Sequence, residues 1–253
     1  DANLRPEGKK GALVRTLASH LAYYDRWAQS WEFQALLKAR PLAGDAELGA
    51  AYMAATRPLV WASSERDGFV TSVQEMRGRV TANIPADELS RQLKLGPGGL
   101  RDVEFTVQLL QLVHGWSDEA VRVQSTLEAI DALVEQGYIG RADAANFATD
   151  YRILRLLEHR MQLQQLRRTH LMPETDEERR VLARSTGLFD QAPGVAGGTG
   201  ADVTSMWERV RHEVRDIHVR LFYRPLLSAV AETEYDARAL TGSEAVGRLK
   251  IGR

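Results

Sequence analysis

Three glycines and a proline in four consecutive positions, 96–99, constrain this chain more than any other stretch. Residues of these types at this density do not continue a helix or a strand, so they predict a tight turn. A helix is predicted directly after it, because apolar residues recur at helical spacing from Leu100 to Leu112. Polar residues at the same spacing predict a narrow stripe between two apolar flanks: Arg101, Glu104, Gln108 and Gln111. Such a stripe usually faces a cleft or a solvated seam.

The glycine turn also has the features of an anion site. Backbone amides at a helix N-terminus carry partial positive charge, and Lys94 and Arg101 flank this one. The alternative is that Arg101, Asp102 and Glu104 form an ordinary charged first turn, which caps a helix of a bundle. Spacing alone leaves both interpretations open.

The rest of the chain is predicted to be mainly α, as a multi-helix bundle. Amphipathic segments alternate with turn residues, and the longest has near-heptad apolar spacing from Phe147 to Met161. The first residues are compatible with the edge strand of a sheet. A bend is predicted at Pro225 in the last helix. The predicted helices are 17–27, 30–40, 45–61, 69–84, 125–136, 141–168, 174–185 and 203–230.

Composition excludes several classes of function. The formal net charge is −1, from 33 basic and 34 acidic residues, so no overall field favours nucleic acid or an anionic membrane. The absence of cysteine excludes disulfides, thiolate catalysis and cysteine-based zinc sites. No apolar run approaches the ~20 residues that cross a bilayer. We expect a soluble, cytoplasmic protein that binds neither nucleic acid nor membranes.

A histidine pattern near the end of the bundle resembles a zinc-protease motif only superficially. His212 and Glu213 are followed by His218, six residues after the first histidine. Zinc needs the i, i+4 pair that shares one helix face, so the metalloprotease interpretation is rejected.

Three stretches, in order, resemble one family. Residues 94–105, with the glycine turn, are similar to the signature that follows the nucleotidyltransferase domain of bifunctional glutamine synthetase adenylyltransferase/adenylyl-removing enzymes. Residues 1–14 resemble the segment that carries the last active-site aspartate of that domain. Residues 23–41 resemble the Trp-Glu…Lys-Ala-Arg helix of the same family.

The resemblance implies a domain plan. Residues 1–15 would be the terminal piece of an α/β nucleotidyltransferase domain, and residues 16–120 would complete the wall of its active site. A helical bundle would follow over 121–231, with the start of an inter-domain linker at 232–253. Because the sequence begins at Asp1, inside a motif, we expect a fragment without its upstream catalytic half. The form of the glycine motif favours the N-terminal, adenylyl-removing half.

The resemblance also implies an activity, its cofactor and its partners. Such enzymes transfer AMP from ATP to a tyrosine of glutamine synthetase and remove it by phosphorolysis, with Mg²⁺. The implied partners are glutamine synthetase and the PII signalling protein. Two rival interpretations stay open. One is a non-catalytic helical module that docks either partner, and the other is a related PII uridylyltransferase, which the motifs argue against.

Site residues follow from the resemblance. Asp1 would be a catalytic metal ligand, and two further ligands would lie upstream in a Gly-Ser and Asp-x-Asp segment that this sequence lacks. Arg101 and Glu104 would also be catalytic, with Glu104 orienting one of the cations. Lys38 and Arg40 could equally offset the dipole of the helix that they close. The predicted nucleotide- and phosphate-binding residues are Arg5, Lys38, Arg40, Lys94, Gly98 and Gly99.

Overall fold

The computed structural model describes residues 4–190 and 197–223. Over these residues the chain folds into α-helices joined by short 3₁₀ turns, with no strand, which confirms the mainly α prediction. A single antiparallel bridge joins Gln92 to Leu171. The helices are α1 Leu17–Arg26, α2 Ser30–Leu36, α3 Ala46–Trp61, α4 Phe69–Ala82, α5 Leu100–His114, α6 Thr126–Glu135, α7 Arg141–Gln165, α8 Asp176–Thr186 and α9 Gly200–His218.

Helix α5 lies at the centre, between two apolar cores. Leu100, Val103 and Val107 pack into a core formed with α6 to α9. Phe105 and Leu112 pack into a second core with residues of α2 to α4 and the π-helical turn Val219–Tyr223. Because both of its flanks are buried, α5 fixes the position of every polar group along its length.

Most helix starts follow local capping chemistry. The side chains of Thr16, Asp45 and Ser125 each accept a hydrogen bond from the amide three residues on. Thr175 and Thr199 form full capping boxes with the acidic residues three positions later. These short polar side chains satisfy amides that the helix itself leaves free, so the sequence marks where each helix begins.

Two predicted helices, those that correspond to α2 and α9, differ most from the structure in their bounds. Helix α2 ends at Leu36 rather than at residue 40, because the amides of Leu37 and Ala39 bond to carbonyls only three residues back. Lys38 and Arg40 therefore lie in the segment after the helix and do not close it. Helix α9 begins at Gly200 and becomes π-helical after His218. The predicted bend at Pro225 lies outside the described residues.

The glycine turn is confirmed, and its glycines permit close packing. Gly98 has a φ of +75°, and a Cβ on it would lie 2.0 Å from the carbonyl oxygen of Arg211 in α9. A Cβ on Gly99 would lie 2.5 Å from the carbonyl oxygen of Leu93. A side chain at either position would push the turn away from these carbonyls. Because Gly98 has no side chain, the backbone of the turn lies directly against the backbone of α9.

Among the described residues, no helix combines the length and the apolar character required to cross a membrane.

Candidate functional site: the charged seam

Six charged residues from four separate segments meet beside α5 and α7. One follows α2 and one precedes α5, two lie in the first two turns of α5, and two lie in the middle of α7. We call this group the charged seam: Lys38, Lys94, Arg101, Glu104, Arg155 and Glu158. Four cations share two carboxylates, so the seam carries an excess of positive charge although the whole chain is nearly neutral.

The inner part of the seam is built around Glu158, whose side chain is 2% exposed. Its carboxylate is 3.0 Å from Lys94 Nζ, 2.5 Å from Arg155 Nη1 and 3.2 Å from His170 Nδ1. Burial by itself would raise the pKa of Glu158. Hydrogen bonds from His170 and Lys94, with the charges of Lys94 and Arg155, outweigh burial and lower the pKa to about 2. Glu158 is therefore a permanent anion that holds its cations in place.

The outer part of the seam reaches solvent. Arg101 Nη1 lies 3.0 Å from Glu104 Oε2, with the two side chains 33% and 13% exposed. Lys38 Nζ donates a hydrogen bond of 2.6 Å to Thr126 Oγ1, at the start of α6. Burial lowers the pKa of Lys38, the charge of Glu104 opposes this shift, and those of Arg155 and Arg101 reinforce it. The outer cations thus lie within electrostatic reach of one another.

The polar stripe of α5 is only partly solvated. Gln108 accepts a 2.9 Å hydrogen bond from Gln34 in α2, and Gln111 donates to the carbonyls of Val121 and Val123. Both glutamines are buried, so the prediction that the entire stripe faces a cleft is wrong at this end. Buried amides need partners, and here the partners are neighbouring segments rather than water. The accessible part of the stripe is Arg101 and Glu104.

One amide of the glycine turn, that of Gly98, already has an anionic partner. Asp102 Oδ2 accepts a 2.6 Å hydrogen bond from Gly98 N, and Asp102 Oδ1 accepts a 2.6 Å hydrogen bond from Arg77 Nε. An incoming phosphate would have to displace this buried carboxylate to use the amide of Gly98. The close packing of Gly98 and Gly99 accounts for glycine at both positions. Their role in phosphate binding stays a prediction.

Two other predicted residues, Arg5 and Arg40, lie apart from the seam. Arg5 donates to the carbonyls of Gly11 and Lys9, at 2.9 Å and 3.1 Å, and so holds the turn that follows it. Arg40 is exposed and lines a different cavity. Asp1 lies outside the described residues. Within the residues that the structure describes, no three His, Asp or Glu side chains cluster as a possible metal site.

Several residues of the site were missed in the sequence. Arg155 and Glu158 are an i, i+3 pair on α7, beside the apolar positions that predicted the bundle, and this polar spacing could have singled them out. Thr126 and His170 gave no such signal. They reach the seam only because α6 and the segment after α7 fold back onto α5.

Two family models match the chain. The model described as GlnD PII-uridylyltransferase matches residues 73–222, and the model described as Glutamate-ammonia ligase adenylyltransferase matches residues 1–55. The first match covers α5, α6, α7 and most of the seam. The chain belongs to the family of this first model, GlnD PII-uridylyltransferase.

Several relatives that match nearly all of the chain are named bifunctional glutamine synthetase adenylyltransferase/adenylyl-removing enzyme. The protein from Leifsonia xyli is 62% identical over 96% of this chain and 23% of its own length. That from Streptomyces avermitilis is 57% identical over 98% of this chain and 24% of its own length. That from Mycobacterium tuberculosis is 54% identical over 98% of this chain and 25% of its own length. These matches confirm the resemblance inferred from the three motifs. The chain spans about a quarter of the length of these relatives.

Proposed function

We propose that the chain is part of a nucleotidyltransferase that regulates glutamine synthetase, by adding AMP to one of its tyrosines and removing it by phosphorolysis. The observation that supports this most is the charged seam, where three of the four cations pair with two carboxylates and the fourth, Lys38, donates a hydrogen bond to Thr126. Phosphoryl transfer needs mainly fixed positive charge around the transferring group, and the seam has that composition. The names of the relatives point to the same chemistry.

Within this proposal the seam residues have distinct roles. Arg101 is a partly exposed cation that can contact a phosphoryl oxygen while Glu104 fixes its orientation. Lys38 adds a second charge, and its hydrogen bond to Thr126 limits its motion. Lys94 and Arg155 act from behind, because the buried Glu158 already holds them. A charge that is positioned before the reaction costs no reorganisation when the transition state forms.

Magnesium belongs to the proposal as an ion bound mainly by other parts of the protein. When bound, it would neutralise charge on the transferring phosphoryl group. Asp1 is the ligand that this chain is proposed to contribute. The substrates are proposed to be ATP for addition of AMP and inorganic phosphate for its removal. The partners are proposed to be glutamine synthetase and, as a regulator, the PII protein.

The experiment uses a protein of the relatives' length that carries this chain. Incorporation of label from α-labelled ATP into glutamine synthetase measures addition, and release of ADP from adenylylated synthetase in the presence of phosphate measures removal. We expect at least one of these reactions. If Arg101→Ala in this protein abolishes removal but not addition, the chain belongs to the adenylyl-removing half. If neither reaction is detected with active substrate proteins, the proposal is wrong.

A uridylyltransferase is the second candidate, because the model that matches residues 73–222 carries that description. The same protein should be offered α-labelled ATP or UTP, with glutamine synthetase and the PII protein as acceptors. Our proposal predicts label from ATP on the synthetase. Label from UTP on PII would favour the second candidate.

A purely non-catalytic docking module is the third candidate. A pull-down of glutamine synthetase or PII by the chain, with no nucleotide present, tests docking directly. Docking together with loss of both transfer reactions would support this candidate.

A further inference from the structure

An open groove of about 700 Å³ follows the second half of α7 to the end of that helix. One wall is a single face of α7, because its lining residues Arg155, Gln162 and Leu166 recur at helical spacing. The helix rises about 16 Å between the first and the last of them. The opposite wall contains Lys94 and His170, from two segments that a 2.9 Å backbone hydrogen bond between Leu93 N and the carbonyl of His170 joins. Backbone hydrogen bonds therefore hold both walls in place.

Two leucines of this groove are turned toward solvent. Leu163 and Leu166 are 62% and 87% exposed, and they lie three residues apart on the same face. Leu166 follows α7 in the left-handed conformation, with a φ of +48°. Glycine or asparagine normally takes that conformation at a helix end, because a larger side chain is strained there. Neither the helix end nor a buried core accounts for leucine at this position.

The groove carries an excess of positive charge. Its cations are Lys94, Arg155, Arg167 and Arg168, and its one carboxylate, that of Glu158, is 2% exposed and already pairs with the first two.

A neighbouring cavity shares one of these cations. Arg167 also lines that cavity, beside Glu174 and Glu178, so its charge is not assigned to the groove alone. Without it, three cations still face one carboxylate. No ion pair joins Arg168 to a carboxylate within residues 4–190 and 197–223, and its side chain is exposed at the open end of the groove.

Compensation of the helix dipole explains only part of this surface. Cations near a helix C-terminus offset its partial negative charge, which accounts for Arg167 and Arg168. Arg155 lies well inside α7, and Lys94 belongs to another segment. The dipole also gives no reason for exposed leucines between the two groups of cations.

We propose that this groove docks an acidic polypeptide segment of a partner protein, with an apolar side chain of the segment against Leu163 and Leu166 and its carboxylates beside Arg155 and Arg168. An extended chain rises about 3.3 Å per residue, so about five residues fit along the groove. Charge complementarity favours an acidic segment, and the leucines favour one that also carries an apolar residue. An anionic membrane is the less suitable partner, because membrane surfaces take up a long apolar helix face rather than two leucines in a groove. The proposal goes beyond the transfer reaction and does not depend on it.

The test is fluorescence anisotropy of the 253-residue chain with a labelled peptide in which glutamates flank two leucines that are separated by one serine. In an extended peptide the two leucines point to the same side. We expect binding that weakens as salt is added, because exposed charges are screened. Arg168→Ala should weaken it severalfold and reduce its dependence on salt.

Leu166→Asn separates docking from a role at the helix end. It should weaken peptide binding about tenfold, because an apolar contact that binding buries is lost. It should not lower the thermal unfolding midpoint, since asparagine tolerates the left-handed conformation better than leucine does. Leu42→Asn is the matched control, because Leu42 is 86% exposed and lies outside the groove, and it should leave binding unchanged.

Four results would overturn the inference. The first is no binding of the peptide by the intact chain, and the second is equal binding by the Leu166→Asn and Leu42→Asn variants. The third is equally tight binding of a peptide with serine in place of both leucines, which would mean an anion site only. The fourth is binding to vesicles of phosphatidylserine and phosphatidylcholine that Leu166→Asn abolishes, without binding of the peptide. Peptide binding in a protein without transfer activity would refute the proposed function and leave this inference standing.

Discussion

Replacing Asp150 by asparagine should make the chain more stable at neutral and alkaline pH. Asp150 lies on α7 and is 1% exposed, and its Oδ2 has no hydrogen-bond partner among the described residues. Burial and then the charge of Glu213 raise its pKa from 3.8 to about 7, although Arg209 opposes the shift. The folded chain thus holds this proton more tightly than the unfolded chain does.

The sign follows from proton linkage. Between pH 4 and 7 the carboxyl loses its proton in the unfolded chain but keeps it in the folded chain, so stability falls as the pH rises. From pH 5 to pH 8 the difference in protonation between the folded and the unfolded chain covers about two pKa units. The free energy of unfolding would therefore fall by at most roughly 2.7 kcal/mol. We expect about 1–2 kcal/mol, because the Glu213 side chain is 31% exposed and lets water approach.

The assay is urea unfolding of the 253-residue chain and of Asp150→Asn at pH 5 and pH 8. The difference in the free energy of unfolding between variant and parent should grow by about 1–2 kcal/mol from pH 5 to pH 8. Asp131→Asn, at an exposed position on α6, should show no such growth. A pH-independent difference for Asp150→Asn would refute the reasoning.

Three further stability changes follow from the packing around α5, each measured by urea unfolding. Gly98→Ala should destabilise by about 2 kcal/mol or more, because its φ is positive and its Cβ would collide with a carbonyl of α9. Asp102→Ala should cost about 3–5 kcal/mol, because it leaves Arg77 buried without its carboxylate, and an unchanged midpoint would contradict this. Glu158→Gln should cost a similar amount, whereas the exposed Glu128→Gln should cost less than about 0.5 kcal/mol.

The sequence predicted those parts of the fold that depend on local chemistry. The glycine turn and the starts of α3 and α5 follow from residue types within a few positions. The predicted end of α2 was wrong because Lys38 and Ala39 form hydrogen bonds with Thr126 and Gln124, which lie far along the chain. No local pattern contains such contacts.

The candidate site was predictable only in part. Lys94, Arg101 and Glu104 belong to one motif, and the structure places all three in the seam. Arg40 was grouped with Lys38, yet the two residues line different sites, because both follow the end of α2 at Leu36 and helical spacing no longer relates them. The partners that hold the seam from behind lie on α7, and only the packing of α7 against α5 brings them together.

The central claim is that Arg101 acts through its charge on the transferring group. The direct measurement is kcat/KM for AMP transfer by a protein of the relatives' length that carries this chain, compared between the parent, the Arg101→Met variant and the Arg101→Lys variant. The guanidinium carbon Cζ of Arg101 lies 5.7 Å from the centroid of the Phe105 ring. Methionine keeps an apolar side chain at this position but removes the charge. We expect kcat/KM to fall about 100-fold for the methionine variant and only severalfold for the lysine variant, with both variants as stable as the parent. Arg180 is the control position, because it is an exposed arginine that pairs with Asp176 on α8. If the Arg101→Met enzyme were as fast as the Arg180→Met enzyme, Arg101 would not act through its charge.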